Sequence, residues 1–170
     1  DGDLDLVLAG WTTVSGGIPK TYLYRNDAGS FTRLEPGFKG VDMGALAWGD
    51  YDGDGDLDLA LSGLDASNRP VAAVYRNDGG LVFTDVGFMS GTGPVFGSAV
   101  TSAAAWADAD ADGDLDLAIT VWTGSDWALR FFRNDGTSLA LTTEFSDLLF
   151  GAAAWADADG DGDPDLLFAG

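Results

Sequence analysis

The residues of this 170-residue sequence best placed to do chemistry are aspartates at alternate positions, and they recur along the chain. Three nine-residue stretches read Asp-x-Asp-x-Asp-Gly-Asp-x-Asp: Asp50, Asp52, Asp54, Asp56 and Asp58; Asp108, Asp110, Asp112, Asp114 and Asp116; and Asp157, Asp159, Asp161, Asp163 and Asp165. The end of a fourth copy, Asp1, Asp3 and Asp5, opens the chain. So many carboxylates in so short a span repel one another unless a cation sits among them, and hard oxygen donors at alternate positions suit calcium. In each copy the side chains at positions 1, 3, 5 and 9 converge on one ion and position 7 offers its backbone carbonyl. Glycine at position 6 permits the sharp reversal that this requires. Three complete calcium sites and one partial site are therefore expected. The partial site, Asp1, Asp3 and Asp5, lacks two ligands unless upstream sequence or a neighbouring chain supplies them. The loops are not EF-hands, because position 12 is Leu61, Ile119 or Phe168 where a bidentate Glu would be needed.

Composition narrows the remaining possibilities. The formal charge of −20 comes almost wholly from Asp, with Glu35 and Glu144 the only glutamates, and Asp favours turns and metal loops where Glu would favour helix. Lys and Arg nowhere cluster, which argues against nucleic acid as a partner. The absence of Cys and His removes disulfides, thiol nucleophiles, the usual zinc ligand sets and histidine-dependent triads. The uncharged stretch from Val86 to Ala107 is broken by several Gly and a Pro, so it makes a poor membrane helix, and no membrane insertion is expected. No signal peptide is visible. The start at Asp1, without Met and inside a repeat, suggests a processed product or an excised segment.

The loops need elements to hold them, and those recur in phase. The last Asp of each loop falls at Asp5, Asp58, Asp116 and Asp165, spacings of 53, 58 and 49 residues, a period typical of propeller blades. A small-residue segment ending in Trp48, Trp106 or Trp155 precedes each complete loop, and an apolar segment follows each: Leu4 to Ala9, Leu57 to Leu61, Leu115 to Val121 and Asp165 to Ala169. A third segment ends in Tyr24-Arg25-Asn26-Asp27, Tyr75-Arg76-Asn77-Asp78 or Phe132-Arg133-Asn134-Asp135, a turn tolerant of positive φ, and a fourth follows. Each unit thus reads strand A, metal loop, strand B, loop, strand C, hairpin, strand D. The Ala runs before each Trp are too short to nucleate a helix and suit a crowded inner strand.

The predicted fold is all-β: β-propeller blades made of four-stranded antiparallel sheets, about three in number. The chain forms one propeller segment, with approximate units 1–42 (strands B to D), 43–100, 101–149 and 150–170 (strands A and B). Residues 1–10 match residues 161–170 in seven of ten positions, so the chain ends in the phase in which it began. Three blades are too few to close a ring, so association between copies or continuation into a longer propeller is expected.

The loop Asp-x-Asp-x-Asp-Gly-x-x-Asp-Leu at residues 50–59, 108–117 and 157–166, with the Arg-Asn-Asp-Gly turns, resembles the FG-GAP and VCBS repeats of integrin-α-like β-propellers. The resemblance covers essentially the whole chain. In the phase of the repeat the Phe-Gly of the name is clear at Phe150-Gly151, with Met43-Gly44 and Thr101-Ser102 at the corresponding places. It implies calcium ions acting as struts on one face of the propeller and partner binding on another.

Repetition of the loops favours a structural ion over a catalytic one, and no enzyme is expected. The expected function is a non-enzymatic, calcium-stabilised, extracellular or cell-surface interaction or adhesion module. Two alternatives are a subunit that assembles through open blade edges into a ring or filament, and a carbohydrate-binding propeller. Loops between strands B and C emerge away from the metal loops and carry Trp11, Trp122 and Trp127, candidates for stacking on a protein or glycan ligand. The competing reading is that Trp11 and Trp122 cap the packing between blades. Trp48, Trp106 and Trp155 are assigned to the core.

Overall fold

The computed structural model describes residues 2–13, 17–87, 103–123, 126–136, 138–146 and 151–169. Asp1, Phe150, Gly170, Thr101-Ser102 and much of the uncharged stretch before Ala103 lie outside them. Among the described residues the regular structure is entirely strand: β1 (Leu6–Trp11), β2 (Pro19–Asp27), β3 (Ser30–Leu34), β4 (Asp42–Gly49), β5 (Asp58–Leu64), β6 (Pro70–Asn77), β7 (Phe83–Asp85), β8 (Ala104–Ala107), β9 (Asp116–Trp122), β10 (Trp127–Asn134), β11 (Leu139–Phe145), β12 (Ala152–Ala156) and β13 (Asp165–Ala169). No helix of the described residues is long and apolar enough to cross a membrane.

These strands form four antiparallel meanders in chain order: β1-β2-β3, β4-β5-β6-β7, β8-β9-β10-β11 and β12-β13. The first therefore holds strands B to D, the next two hold A to D, and the last holds A and B. Among the described residues the four sheets are separate, as propeller blades are, and no ladder joins the first to the last. The Ala-rich segments before Trp48, Trp106 and Trp155 are strands, as expected of runs too short to nucleate a helix.

Strand B begins one or two residues later than the apolar runs suggest and extends further. The last Asp of each complete loop is already in the ladder, Asp58 opposite Gly49 and Asp116 opposite Ala107. The apolar residue before it stays in the loop.

Alternation along the central strands builds the core between blades. Leu59 and Leu61 of β5, with Val71, Ala73 and Tyr75 of β6, pack against Leu23 of the first sheet and Val41. Their neighbours Ala60, Ala72 and Val74 point the other way, onto Leu117, Ile119 and Val121 of the third sheet. Strands flanked by a sheet on both faces read as continuous apolar runs, and all of β5 is buried.

The A strands are tied by tryptophan. Trp106 Nε1 donates to the Ala47 carbonyl at 3.2 Å, and Trp155 Nε1 donates to the Ala105 carbonyl at 3.3 Å, each reaching the preceding blade. Half-buried Trp48 packs on Phe83, with ring centroids 6.2 Å apart. Trp106 and Trp155 therefore serve packing between blades, and Trp48 lies against the core that Leu23 of the first sheet shares with the second.

Candidate metal loops

Each complete loop leaves strand A and returns into strand B, so its geometry is set by a β-ladder at both ends. In the loop after β4, Gly55 N–H donates to Asp50 Oδ2 at 3.0 Å and Asp56 N–H to Asp54 Oδ1 at 2.8 Å. The next loop repeats this with Gly113 N–H on Asp108 Oδ2 and Asp114 N–H on Asp112 Oδ1, both at 3.1 Å. The last does so with Gly162 N–H on Asp157 Oδ2 at 3.1 Å and Asp163 N–H on Asp161 Oδ1 at 2.9 Å. Short-range Asp-to-backbone bonds of this kind are what the residue type favours, and here they fold three loops alike.

The folding gathers carboxylates. One oxygen from each of Asp50, Asp52 and Asp58 lies within 4.8 Å of the others, and the same holds for Asp108, Asp110 and Asp112 and for Asp157, Asp159 and Asp165. Two ligands of one ion at oxygen distances of about 2.3–2.6 Å stand at most about 5.2 Å apart, so each trio could hold a metal ion. The remaining members of the expected sets, Asp54, Asp116 and Asp161, stand outside the trios. The side chain at position 7 lies beside the strand C–D hairpin: Asp56 Oδ2 and Asp114 Oδ2 approach Gly79 and Gly136, where a Cβ would meet them at 3.3 and 3.0 Å.

One observation speaks directly for a cation. Asp50 Oδ1 is buried and has no hydrogen-bond partner, although Asp50 Oδ2 is bonded. A buried carboxylate oxygen left without a partner costs stability unless an ion occupies the space before it. The donors are all hard oxygens, with no nitrogen or sulfur, as an alkaline-earth cation prefers.

Position 9 has a second task that sequence reasoning did not assign. Asp58 Oδ2 accepts from Tyr51 N–H at 2.9 Å, and Asp58 Oδ1 accepts from Asn77 N–H of the C–D hairpin at 2.7 Å. Asp116 does the same with Ala109 and Asn134, at 3.0 and 2.8 Å. The Asn side chain then donates to the carbonyl before the aspartate, Leu57 at 3.3 Å or Leu115 at 3.2 Å. These two loops are thereby braced on strand C as well as on strands A and B. The signal in the sequence is the recurrence of Asn at one place in each turn, at Asn26, Asn77 and Asn134, which by itself marks a hairpin.

Burial pushes the Asp58 carboxyl up to about 6, against the two backbone N–H groups that favour its charged form, and moves Asp116 in the same direction. Burial, then the charge of Asp54, also raises Asp52. Asp112 is held below the usual carboxylate range by the Asp114 N–H and by the Arg133 guanidinium. Arg133 lies on two ligand candidates, 2.5 Å from Asp110 and 3.2 Å from Asp112.

At the fragment, Asp5 accepts from Asn26 N–H and Asp3 from Ala28 N–H, each at 2.8 Å, repeating the strand C brace. Asp1 lies outside the described residues.

The three loop tryptophans separate. Trp127 is only 7% exposed; it is the first residue of β10, stands opposite Trp122 in register, and buries against Leu64 and Trp122. It acts as packing and has little surface left for a ligand. Trp122 meets it edge to face, with ring centroids 5.6 Å apart. Trp11 is 52% exposed, and its indole N–H donates to Asp42 Oδ2. It borders a groove of about 390 Å³ with Lys20, Tyr22, Tyr24 and Arg33.

A family model described as an FG-GAP-like repeat matches the chain three times, over residues 1–61, 50–119 and 108–168. Successive matches overlap on the aspartate loops, so each runs from one loop to the next and together they span nearly the whole chain. No curated protein matches it.

Proposed function

The chain belongs to the FG-GAP-like repeat family, and from that premise we propose that it is a non-enzymatic, calcium-stabilised β-propeller segment that serves as an interaction or adhesion module outside the cell or at its surface. The observation that carries this reading is the unpaired, buried Asp50 Oδ1 within the trio Asp50, Asp52 and Asp58, alongside carboxylate trios gathered in the two further loops. Asp50, Asp52 and Asp58, then Asp108, Asp110 and Asp112, and Asp157, Asp159 and Asp165 would hold calcium, which supplies positive charge between strands A and B.

A structural ion is favoured over a catalytic one because the same arrangement occurs in three blades and the chain contains no His or Cys to act as base or nucleophile. The loop type favours an extracellular setting. Loops without a bidentate Glu bind modestly, and millimolar calcium outside cells would fill them.

Calorimetric titration with calcium, using magnesium as control, tests the reading together with thermal unfolding. Binding near three sites per chain and a melting temperature that rises with calcium are expected. No binding heat and an unchanged melting temperature would overturn it.

A further inference from the structure

One arginine stands at the same place in each strand C, directly before the Asn that braces the loop: Arg25, Arg76 and Arg133. Two of the three pair with the Asp of their own hairpin. Arg25 lies 3.0 Å from Asp27, and Arg76 lies 2.7 Å from Asp78 but 4.0 Å from Asp52, the position 3 carboxylate of its loop. Arg133 reaches the loop itself, with Nε 2.5 Å from Asp110 and a terminal nitrogen 3.2 Å from Asp112. It thus bridges two of the three carboxylates in the trio Asp108, Asp110 and Asp112.

The cross-strand neighbour accounts for the difference. Arg25 stands opposite Thr32 and Arg76 opposite Thr84, whereas Arg133 stands opposite Ala140. The Thr84 hydroxyl donates to Asp78 Oδ2 and holds that carboxylate where Arg76 Nε bonds its Oδ1. Ala140 has no hydroxyl, and Asp135, the equivalent of Asp78, accepts from Ser138 N–H at 2.9 Å. The loop differs in step: its trio draws in position 5, Asp112, where the other two draw in position 9, Asp58 or Asp165. The hydrogen bonds to the position 6 and 7 amides are common to all three loops, so they do not explain it. A guanidinium fork bonded to positions 3 and 5 does, because it holds the two carboxylates together.

We propose that Arg133 is a resident counter-cation of the loop at residues 108–116 and sets its calcium affinity below that of the loop at residues 50–58. Both oxygens of Asp112 are committed, Oδ1 to Asp114 N–H and Oδ2 to Arg133. Calcium binding there has to displace a charge-assisted bond, whereas at Asp50 it meets a buried oxygen with no partner. The two loops therefore fill in order, Asp50 first, and the residue across from the arginine grades them. The inference rests on the calcium reading.

Amide resonances of Gly55 and Gly113, each bonded within its own loop, follow the two sites separately when the full chain is titrated with calcium. Gly113 is expected to shift at higher calcium than Gly55. Arg133→Gln should tighten the Gly113 site by about tenfold, the scale of a charge-assisted bond discounted for exposure, and move Gly55 far less. Ala140→Thr should act in the same direction, since the added hydroxyl can hold Asp135 for Arg133 as Thr84 holds Asp78. In chelator Arg133→Gln should lower the melting temperature, because the loop loses its own cation. Tighter calcium binding by a less stable chelated fold is a combination that a purely structural arginine does not give.

Gly113 shifting at the same calcium as Gly55, or a Gly113 midpoint that rises or stays put in Arg133→Gln, overturns the inference and leaves the calcium reading standing. If neither glycine responds to calcium, the calcium reading itself falls and this inference falls with it.

Discussion

The Asn134 side-chain amide donates to the Tyr51 carbonyl at 2.6 Å, although the two residues are 83 apart in the chain. Tyr51 is position 2 of the loop that begins at Asp50, whereas the backbone of Asn134 braces Asp116 in the following blade. One buried side chain therefore joins two neighbouring metal loops.

Asn134→Ala removes this bond, the one to Leu115 and the one accepted from Gly136 N–H, leaving two carbonyls short of a donor and one N–H short of an acceptor. The expected loss is roughly 2–3 kcal/mol, the usual cost of stranding buried polar groups. Urea unfolding in saturating calcium measures it. Calorimetry should show weaker binding at two loops, against one for Asn77→Ala, whose side chain bonds Leu57 and Gly79. Equal effects would mean that the loops are independent.

Asp50→Asn should change sign with calcium. The amide keeps the size of the side chain and an acceptor for Gly55, but removes a charge whose Oδ1 is buried without a partner. In chelator the variant is expected to be more stable than the wild type by about 1–2 kcal/mol, and in calcium less stable by a similar amount. Melting curves under the two conditions decide it. A variant less stable in both would indicate that Asp50 serves the fold without an ion.

The same loop predicts opposite pH dependence with and without metal. Asp58 titrates near 6 in the ion-free fold, above the ordinary carboxylate value of 3.8, so between those values the folded state binds more protons than the unfolded. Its stability must then fall as pH rises through that window. Asp116, also raised by burial, adds to the trend. Chelated protein should melt at a lower temperature at pH 7 than at pH 4.5. With calcium, ions compete with protons for these carboxylates and the order should reverse.

Legibility in the sequence followed the range of the interactions. The loops were readable because alternate Asp and a Gly at position 6 bond within a few residues of each other, as Asp50 does with Gly55. The strand phases were readable because Trp48, Trp106 and Trp155 mark one point in each blade. Contacts between blades were not, since nothing local marks Ala47 as the acceptor for Trp106 or Tyr51 as the acceptor for Asn134. Trp127 was misplaced for a related reason: its neighbours Gly124 and Ser125 suggest a loop, whereas cross-strand pairing with Trp122 decides its burial.

Gly44 and Gly151 supply a last prediction, since they occupy the Gly of the repeat's Phe-Gly signature. A Cβ on Gly44 would lie 2.3 Å from the Ser62 carbonyl oxygen, and one on Gly151 would lie 2.3 Å from the Ala169 carbonyl oxygen. Both are strand B carbonyls, so the glycine lets the start of strand A approach the end of strand B more closely than any side chain permits. The space is closed by backbone and cannot be relieved by a rotamer change. Gly44→Ala should therefore cost about 1–3 kcal/mol by overpacking. It should also slow calcium binding little, because the loop at Asp50 lies at the other end of the strand. Urea unfolding and stopped-flow binding separate the two quantities, and a stable Gly44→Ala variant with impaired binding would show that the glycine serves the loop and not the ladder.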